Sequence, residues 1–437
     1  MRRSHTLGQR GMALPLAVMA LVVLTTLVTA YLSLGAFEPQ ASRNLSDATR
    51  VRFVAEAGVE FGFNTLASST DWTTLLVTNN GVLASASAMP GLTAASGTYT
   101  VTLRNDVCAV SSTCNALGDT AITGVALDTG NQNGAGAADT NNVVIMTSVA
   151  TLGTATKTVT VVVTRVNLPP VNGTLAFPGR QADTSFSGAA FDLKGTDTNL
   201  NDSAGPGAPV FGITVSNVFG TPAGANEAVV EASLANNQDN NVVGKDASGV
   251  GTGTGDATIV ADGALTQTNL ASFVAAAKAN ADISLSTSSG LSFSSLGDSC
   301  STSFASSNCW GSRGNPKIVY LKGTEDPTGA YTALSISGNT TGSGILIVED
   351  GDLKISGNFR WEGIIIVTGK YVGVSFLGGG NQSVYGAVIS NEVATDEEAG
   401  FFEGVITGNS KLLYSTEAID IVRNTRRLVR VYSWRES

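Results

Sequence analysis

The 437-residue chain is 43% apolar and 14% charged, which excludes wholesale disorder and leaves room for two or three domains. Its 35 acidic and 25 basic residues give a net charge of −10, so the chain cannot track a nucleic-acid backbone by charge alone. The single histidine is His5, so everything after it lacks an imidazole for a nucleophile–histidine triad or a His-ligated zinc, and only carboxylate chemistry stays open.

Residues 1–11, MRRSHTLGQRG, are basic and polar, and the next 26 residues, Met12 to Phe37, carry no charge. As a helix they reach ~39 Å, against about 30 Å of bilayer hydrocarbon. Arg2, Arg3, His5 and Arg10 precede this run and Glu38 is the first charge after it, which places the N-terminus in the cytoplasm and the rest outside. Three readings compete: a plain membrane anchor, a cleaved secretory signal and a prepilin-type segment. Val28-Thr29-Ala30 gives the secretory reading a cleavage-like site, but the apolar run continues past it. The helix is expected to continue from Glu38 to about Ala67 with a bend at Pro39. Leu45, Ala48, Val51 or Arg52, Ala55, Val59 and Phe63 recur at intervals of three or four and define an amphipathic face.

Arg10-Gly11 followed by Met12-Ala13-Leu14-Pro15-Leu16, together with FVAEAGVEFGFNTLAS downstream, resembles the type IV pilin superfamily over roughly residues 8–67. Within it the resemblance is to PilX-type minor pilins (the PilX N-terminal family) and K-type minor pseudopilins. It implies cleavage by prepilin peptidase between Gly11 and Met12, methylation of the new Met12 amine, and Pro15 in the first helical turn, where a missing N–H costs nothing. It further implies a single-pass precursor in the bacterial inner membrane with its body in the periplasm. The assembly platform of that membrane would then pass it, with other pilins or pseudopilins, into a type IV pilus or secretion pseudopilus. Most major pilins carry glutamate as the fifth mature residue, pairing with a neighbour's N-terminal amine; here that position is Leu16. Losing the carboxylate suits a subunit with no such partner to meet, as at a fibre tip, and is equally what a plain anchor would show.

Further along, β signals fall at Tyr99 to Arg104, Val143 to Ala150 and Thr156 to Val166, a helix-then-small-sheet order that agrees with the pilin layout, and Leu168-Pro169-Pro170 closes the unit. Residues 171–285 read as loop-rich, with one alanine-rich segment, Thr268 to Asp282, expected to form a short surface helix. Asp197, Asn199, Asn201 and Asp202 have calcium-loop-like spacing without its glycine or final acid, so a self-capped Asx turn is the better reading. From residue 286 on, Ser335-Ile336-Ser337-Gly338-Asn339 recurs as Lys354-Ile355-Ser356-Gly357-Asn358, and Gly344-Ile345-Leu346-Ile347-Val348 as Gly363-Ile364-Ile365-Ile366-Val367. A 19-residue period of two strand types predicts a parallel β-helix-like solenoid, with a stacked sandwich as the alternative. Arg427 to Trp434 alternates as a final strand.

The pairs Cys108/Cys114 and Cys300/Cys309 lack the CxxC spacing of a redox or zinc motif and are expected to form two local disulfides, with free thiols as the alternative. Two acidic clusters could be acid/base pairs, but Glu349, Asp350 and Asp352 are better read as a turn and Asp396, Glu397 and Glu398 as an exposed loop. Trp310, Trp361, Tyr371 and Tyr385 fit core packing better than a sugar-stacking surface, and the glycine runs 251–255 and 378–380 lack a phosphate loop's lysine.

The expected fold is therefore α+β. A leader (1–11) precedes a pilin-like helix (12–67, transmembrane over 12–37), a small antiparallel β domain (68–168), the loop-rich middle (171–285) and a solenoid-like domain (286–437). The expected role is that of a structural minor-pilin-like subunit, with no catalytic residue, cofactor, metal or nucleic-acid partner. A stand-alone anchored adhesin or carbohydrate-binding solenoid is the alternative.

Overall fold

The computed structural model describes residues 13–69, 71–107, 122, 125–188, 190–249, 251–297, 300, 308–328, 331–394 and 401–437. Helix α1 (Ala13–Ser68) runs without interruption through Pro39, and α2 (Trp72–Val77) follows it. The antiparallel strands β1 (Val82–Ala88), β2 (Thr98–Asn105), β3 (Val143–Leu152) and β4 (Ala155–Arg165) come next. Short strands then fill the middle of the chain: β5 (Gly173–Phe177), β6 (Thr184–Ser187), β7 (Asp192–Lys194) and β8 (Phe211–Ser216). After α3 (Asn226–Ser233) come β9 (Val242–Lys245), β10 (Thr252–Thr254), β11 (Ile259–Asp262) and α4 (Gln267–Ala279).

From there the chain winds. Strands β12 (Ile283–Ser286), β14 (Lys317–Lys322), β16 (Asn339–Glu349), β18 (Asn358–Gly369), β20 (Gln382–Glu392) and β22 (Ser410–Leu413) lie in one sheet. Strands β13 (Leu291–Phe293), β15 (Thr332–Ile336), β17 (Asp352–Ile355), β19 (Val374–Leu377) and β21 (Gly404–Thr407) lie in another. Successive strands alternate between the two sheets and every neighbour within this series is parallel, so each turn of chain lies on the last like a coil. Helix α5 (Thr416–Arg423) and the last strand, β23 (Val429–Glu436), complete the chain. The architecture is α+β, with a long N-terminal helix, an antiparallel sheet and a parallel β-rich body.

The 19-residue repeat is one coil, the offset from β16 to β18; the coils on either side are longer, 27 residues from β14 to β16, 23 from β18 to β20 and 28 from β20 to β22. Gly344 pairs with Gly363, Ile345 with Ile364 and Ile336 with Ile355, each in direct register. Side chains alternate across the sheet, so the apolar runs must be buried on both faces. Leu346, Val348, Ile365 and Val367 face inward to the second sheet's Leu334, Ile336, Leu353 and Ile355. Ile345, Ile347, Ile364 and Ile366 face outward, under Leu270, Phe273, Val274 and Ala277 of α4 and Ile419 and Val422 of α5. The alanine-rich helix is thus a half-buried cover over the sheet and not a free surface element.

Glycines permit the long strands to bend. Gly344, Gly363 and Gly386 stack in one column at φ of +121°, +144° and +128°, and a Cβ on Gly363 would stand 1.9 Å from the Gly344 carbonyl oxygen. Only glycine takes that backbone conformation freely and leaves room for the coil beneath.

Three sequence expectations change. Residues 171–285 are not a separate loop-rich region, because β6 extends the second sheet beside β21 and β7 extends the first beside β22, while β5 joins β20. Their strands are short and pair with residues some 200 positions away, so local pattern could not reveal them. The solenoid domain does not keep its last strand, since β23 pairs antiparallel with β4 as the fifth strand of the N-terminal sheet. Leu45 does not join the buried face of α1: it is 71% exposed, and the sheet contact begins only at Val51.

The glycine column yields a test. Gly363→Ala should destabilise the body by about 1–3 kcal/mol through backbone strain and overpacking. Gly314→Ala, at a glycine with ordinary φ and no heavy atom near its would-be Cβ, should be close to neutral. Thermal melts of the full chain in detergent compare the two.

Candidate assembly helix and the polar clusters of the body

Helix α1 has two halves with opposite surroundings. Every large apolar side chain from Leu14 to Phe37 is exposed, and exposure continues as far as Arg50. At roughly 1.5–3 kcal/mol per large apolar side chain left in water, a row of this length cannot rest in solvent and needs lipid or other helices. Its hydroxyls are already satisfied: Thr25 Oγ1 donates to the Leu21 carbonyl at 2.8 Å, Thr26 Oγ1 to Val22 at 2.9 Å and Thr29 Oγ1 to Thr25 at 2.7 Å. Such internal bonding lets threonine enter an apolar medium without an orphan donor.

The second half lies on the sheet. Val51, Val54, Ala55, Val59 and Leu66 are buried against Tyr99, Val101, Val144, Met146, Val159, Val161 and Val163. Gly58 and Gly62 make the approach close: a Cβ on Gly58 would lie 2.3 Å from Ser148 Oγ, and one on Gly62 2.1 Å from Met146 Sδ. Sequence reasoning passed over these two glycines, although their spacing of four on one helical face was the signal. The helix end is capped from a distance, because Trp72 Nε1 and Arg165 Nη2 both donate to the Leu66 carbonyl at 2.9 Å, with the Arg165 guanidinium 4.6 Å above the Trp72 ring. Burial lowers Arg165 to about 10, which leaves it charged at neutral pH.

Pro15 lies in the first described turn of α1, and Leu16 is 69% exposed among the other apolar side chains. Gly11 and Met12 lie outside the described residues, as do Cys108, Cys114, Asp396, Glu397 and Glu398. Cys300 and Cys309 are joined by a disulfide.

The body's acids serve the fold. Glu349 accepts from Tyr320 Oη at 2.5 Å, Lys322 Nζ at 2.9 Å and Lys278 Nζ at 3.0 Å, and Lys322 also pairs with Asp350. Burial pushes the Glu349 carboxyl upward, but these donors outweigh it and hold it at about 2. Asp350 (φ +59°) and Gly351 (φ +89°) form the turn into Asp352. Asp197 accepts from the Thr416 backbone N–H at 2.8 Å and from the Gly207 N–H at 2.7 Å, while Asn199 donates to Ser203 and Ala204 and Asn201 accepts from the Ser203 N–H, so this stretch is a self-bonded turn. Asp202 accepts from Tyr385 Oη. Among the described residues no group of three or more His, Cys, Asp or Glu side chains is placed to hold a metal ion. Trp310, Trp361, Tyr371 and Tyr385 are all buried and offer no stacking surface.

Two other carboxylates are strained electrostatically. Asp139 is pushed up to about 7 by burial, with Asp128 adding repulsion, and Asp352 is pushed up to about 7 by burial against the opposing pull of Lys354 at 3.6 Å.

No family model matches the chain, and no curated protein matches it. Among solved structures, the competence-associated pilin ComZ from Thermus thermophilus aligns with 90% of this chain and 98% of its own, at 12% identity and a TM-score of 0.24. A likeness of that size records a similarity and decides neither fold nor role.

The raised carboxyls set a pH prediction. Because their folded-state values lie above the unfolded one of about 3.9, their contribution is fully present at lower pH and is lost as pH rises toward 7. Glu349 works in the opposite sense: its contribution is present above about 4.3 and is lost as pH falls toward 2. Melting temperature should therefore decline between about pH 4 and 7, and Asp139→Asn should flatten that decline.

Proposed function

We propose that the chain is a minor-pilin-like structural subunit, stored in a bacterial inner membrane through α1 and assembled through the same helix into a type IV pilus or secretion pseudopilus. One observation carries the reading: α1 is a single rod whose apolar half stands bare while its other half is seated on an antiparallel sheet. In the membrane the bare half spans the hydrocarbon, and in a fibre the same side chains pack against other helices, where close aliphatic contacts replace lipid. Prepilin peptidase acting between Gly11 and Met12, methylation of Met12 and the assembly platform follow from the motif resemblance. Leu16, uncharged, fits a subunit that offers no carboxylate to a neighbour's amine, as at a fibre tip. The body is a rigid presenting platform without turnover.

A second reading, a stand-alone anchored envelope adhesin, is favoured by the same Leu16, since an uncut anchor needs no glutamate there. Mass spectrometry of the N-terminal peptide from the native host separates the two. A chain starting at methylated Met12 is expected; an intact Met1, or a start at Tyr31, would sink the subunit reading. Leu16→Glu provides a further check: membrane insertion should survive while incorporation into fibres changes, and unchanged incorporation would count against the tip position.

A further inference from the structure

The N-terminal sheet is wider than the helix that covers it. Its five strands, ~4.8 Å apart, span ~19 Å, whereas a helix with its side chains is ~10 Å across. Helix α1 is seated on β2, β3 and β4 through Tyr99, Val101, Val144, Met146, Val159 and Val161, and Trp72 and Leu76 of α2 join the same core.

The lane over β23 is left open. Val431 stands opposite Val163 and Trp434 opposite Val161, so both share the face on which α1 lies, yet they are 41% and 45% exposed. Trp434 Nε1 already donates to Glu436 at 3.2 Å, which leaves its ring as an apolar floor. The wall of the lane is Arg52 and Glu56 of α1, which neutralise each other at 2.9 Å, and Arg52 also reaches Glu436 at 3.2 Å. That last pair fixes the level: residues 52–56 of the helix stand beside 434–436 of the strand.

Beside and below this level α1 has bare apolar side chains of its own. Leu45 precedes Arg52 by seven residues, about two helical turns, and so lies on the lane side of the rod. Phe53 is 59% exposed and, like Glu60 seven residues on, points away from the sheet on which Val51, Val54 and Ala55 rest.

A second copy fits these features together. Both readings of the chain put the apolar half of α1 in a membrane, so two copies in one membrane keep their helices parallel. A two-fold axis normal to the sheet would join the β23 edges, but it turns the two apolar halves in opposite directions and is excluded. A two-fold axis along α1 keeps both halves in one membrane. It sets each helix in the other's lane, faces Leu45 to Leu45 across the axis, and lays Phe53 of one copy over Val431 and Trp434 of the other, with the two sheets outermost.

We propose that the lane over β23 receives α1 of a second copy in this parallel dimer. The inference rests on α1 standing in a membrane and not on fibre assembly, so it holds for a stored pilus subunit and for a plain anchor alike.

Cysteine cross-linking of the full chain in membranes of an expressing strain tests it. Leu45→Cys should join to itself. Phe53→Cys co-expressed with Trp434→Cys should give a covalent dimer at least tenfold above Phe53→Cys with Arg430→Cys, since Arg430 is exposed on the opposite face of β23. Neither Phe53→Cys nor Trp434→Cys should join to itself. Trp434→Glu and Phe53→Glu, both at exposed positions, should each abolish the Leu45→Cys product; if one lowers the melting temperature, the other decides. A Trp434→Cys self-product, a mixed yield no higher than the Arg430→Cys control, a Leu45→Cys product unchanged in a folded Glu variant, or cross-links only to a different protein would each overturn the proposal. A chain that starts at methylated Met12 and yields no cross-link leaves the subunit reading standing and sinks only the dimer.

Discussion

The constraint on which the rest of this molecule depends is the uncharged, unburied half of α1. Burying one large apolar side chain is worth roughly 1.5–3 kcal/mol, and among the described residues nothing covers the row from Leu14 to Phe37. Its length suits a bilayer, and its satisfied threonines suit any apolar surroundings. The second half of the same helix solves the problem internally, with Gly58 and Gly62 bringing the backbone down onto the sheet. One rigid rod therefore joins a surface that must find partners to a surface that has already found them, and whatever happens to the apolar end is transmitted to the sheet without a hinge of loop.

How much of this was legible depended on how local the cause was. The apolar run, the helical continuation and the strands at 98–105, 143–152 and 155–165 could be read because period and composition fix them within a short window. One coil was legible because a near-identical match at a spacing of 19 survives inspection, and the structure sets those matches in register; the neighbouring coils have other lengths and carry no such match. Strands β5 to β7 were not legible. They are three to five residues long, sit among Gly and Asn turns, and gain their pairing from β20, β21 and β22, far away in sequence. Leu45 shows the opposite error: the helical period was right, but periodicity cannot say where the sheet beneath it begins.

The candidate chemistry divides the same way. Glu349, Asp350 and Asp352 were read as a turn and form one, and the positive φ at Asp350 brings both Glu349 and Asp350 to Lys322. Trp310 and Trp361 fill the interior, since parallel coils need bulky residues between sheets. The polar column of the coils was invisible in the sequence because Thr341, Arg360, Ser383 and Lys411 are ordinary polar residues until the coil register stacks them.

The chain path explains how so large a body can sit steadily on so thin a rod. Strands β4 and β23 are neighbours in the N-terminal sheet, and everything between them, from Val166 to Leu428, is the body. It is an insertion whose two ends meet, with the Val166 N–H donating to the Leu428 carbonyl at 2.9 Å. A body hung on one linker would swivel; two crossings side by side remove most of that freedom. Val166, Leu168 and Val171 of the first crossing pack against the α4 and α5 side of the body, and around the second Arg426 pairs with Glu60 of α1 and Arg427 with Asp282 of the body at 2.9 Å. The paired prolines at 169 and 170 thus stiffen a docked strap between the units, and displacement of the helix is carried to the body through two adjacent strands of one sheet.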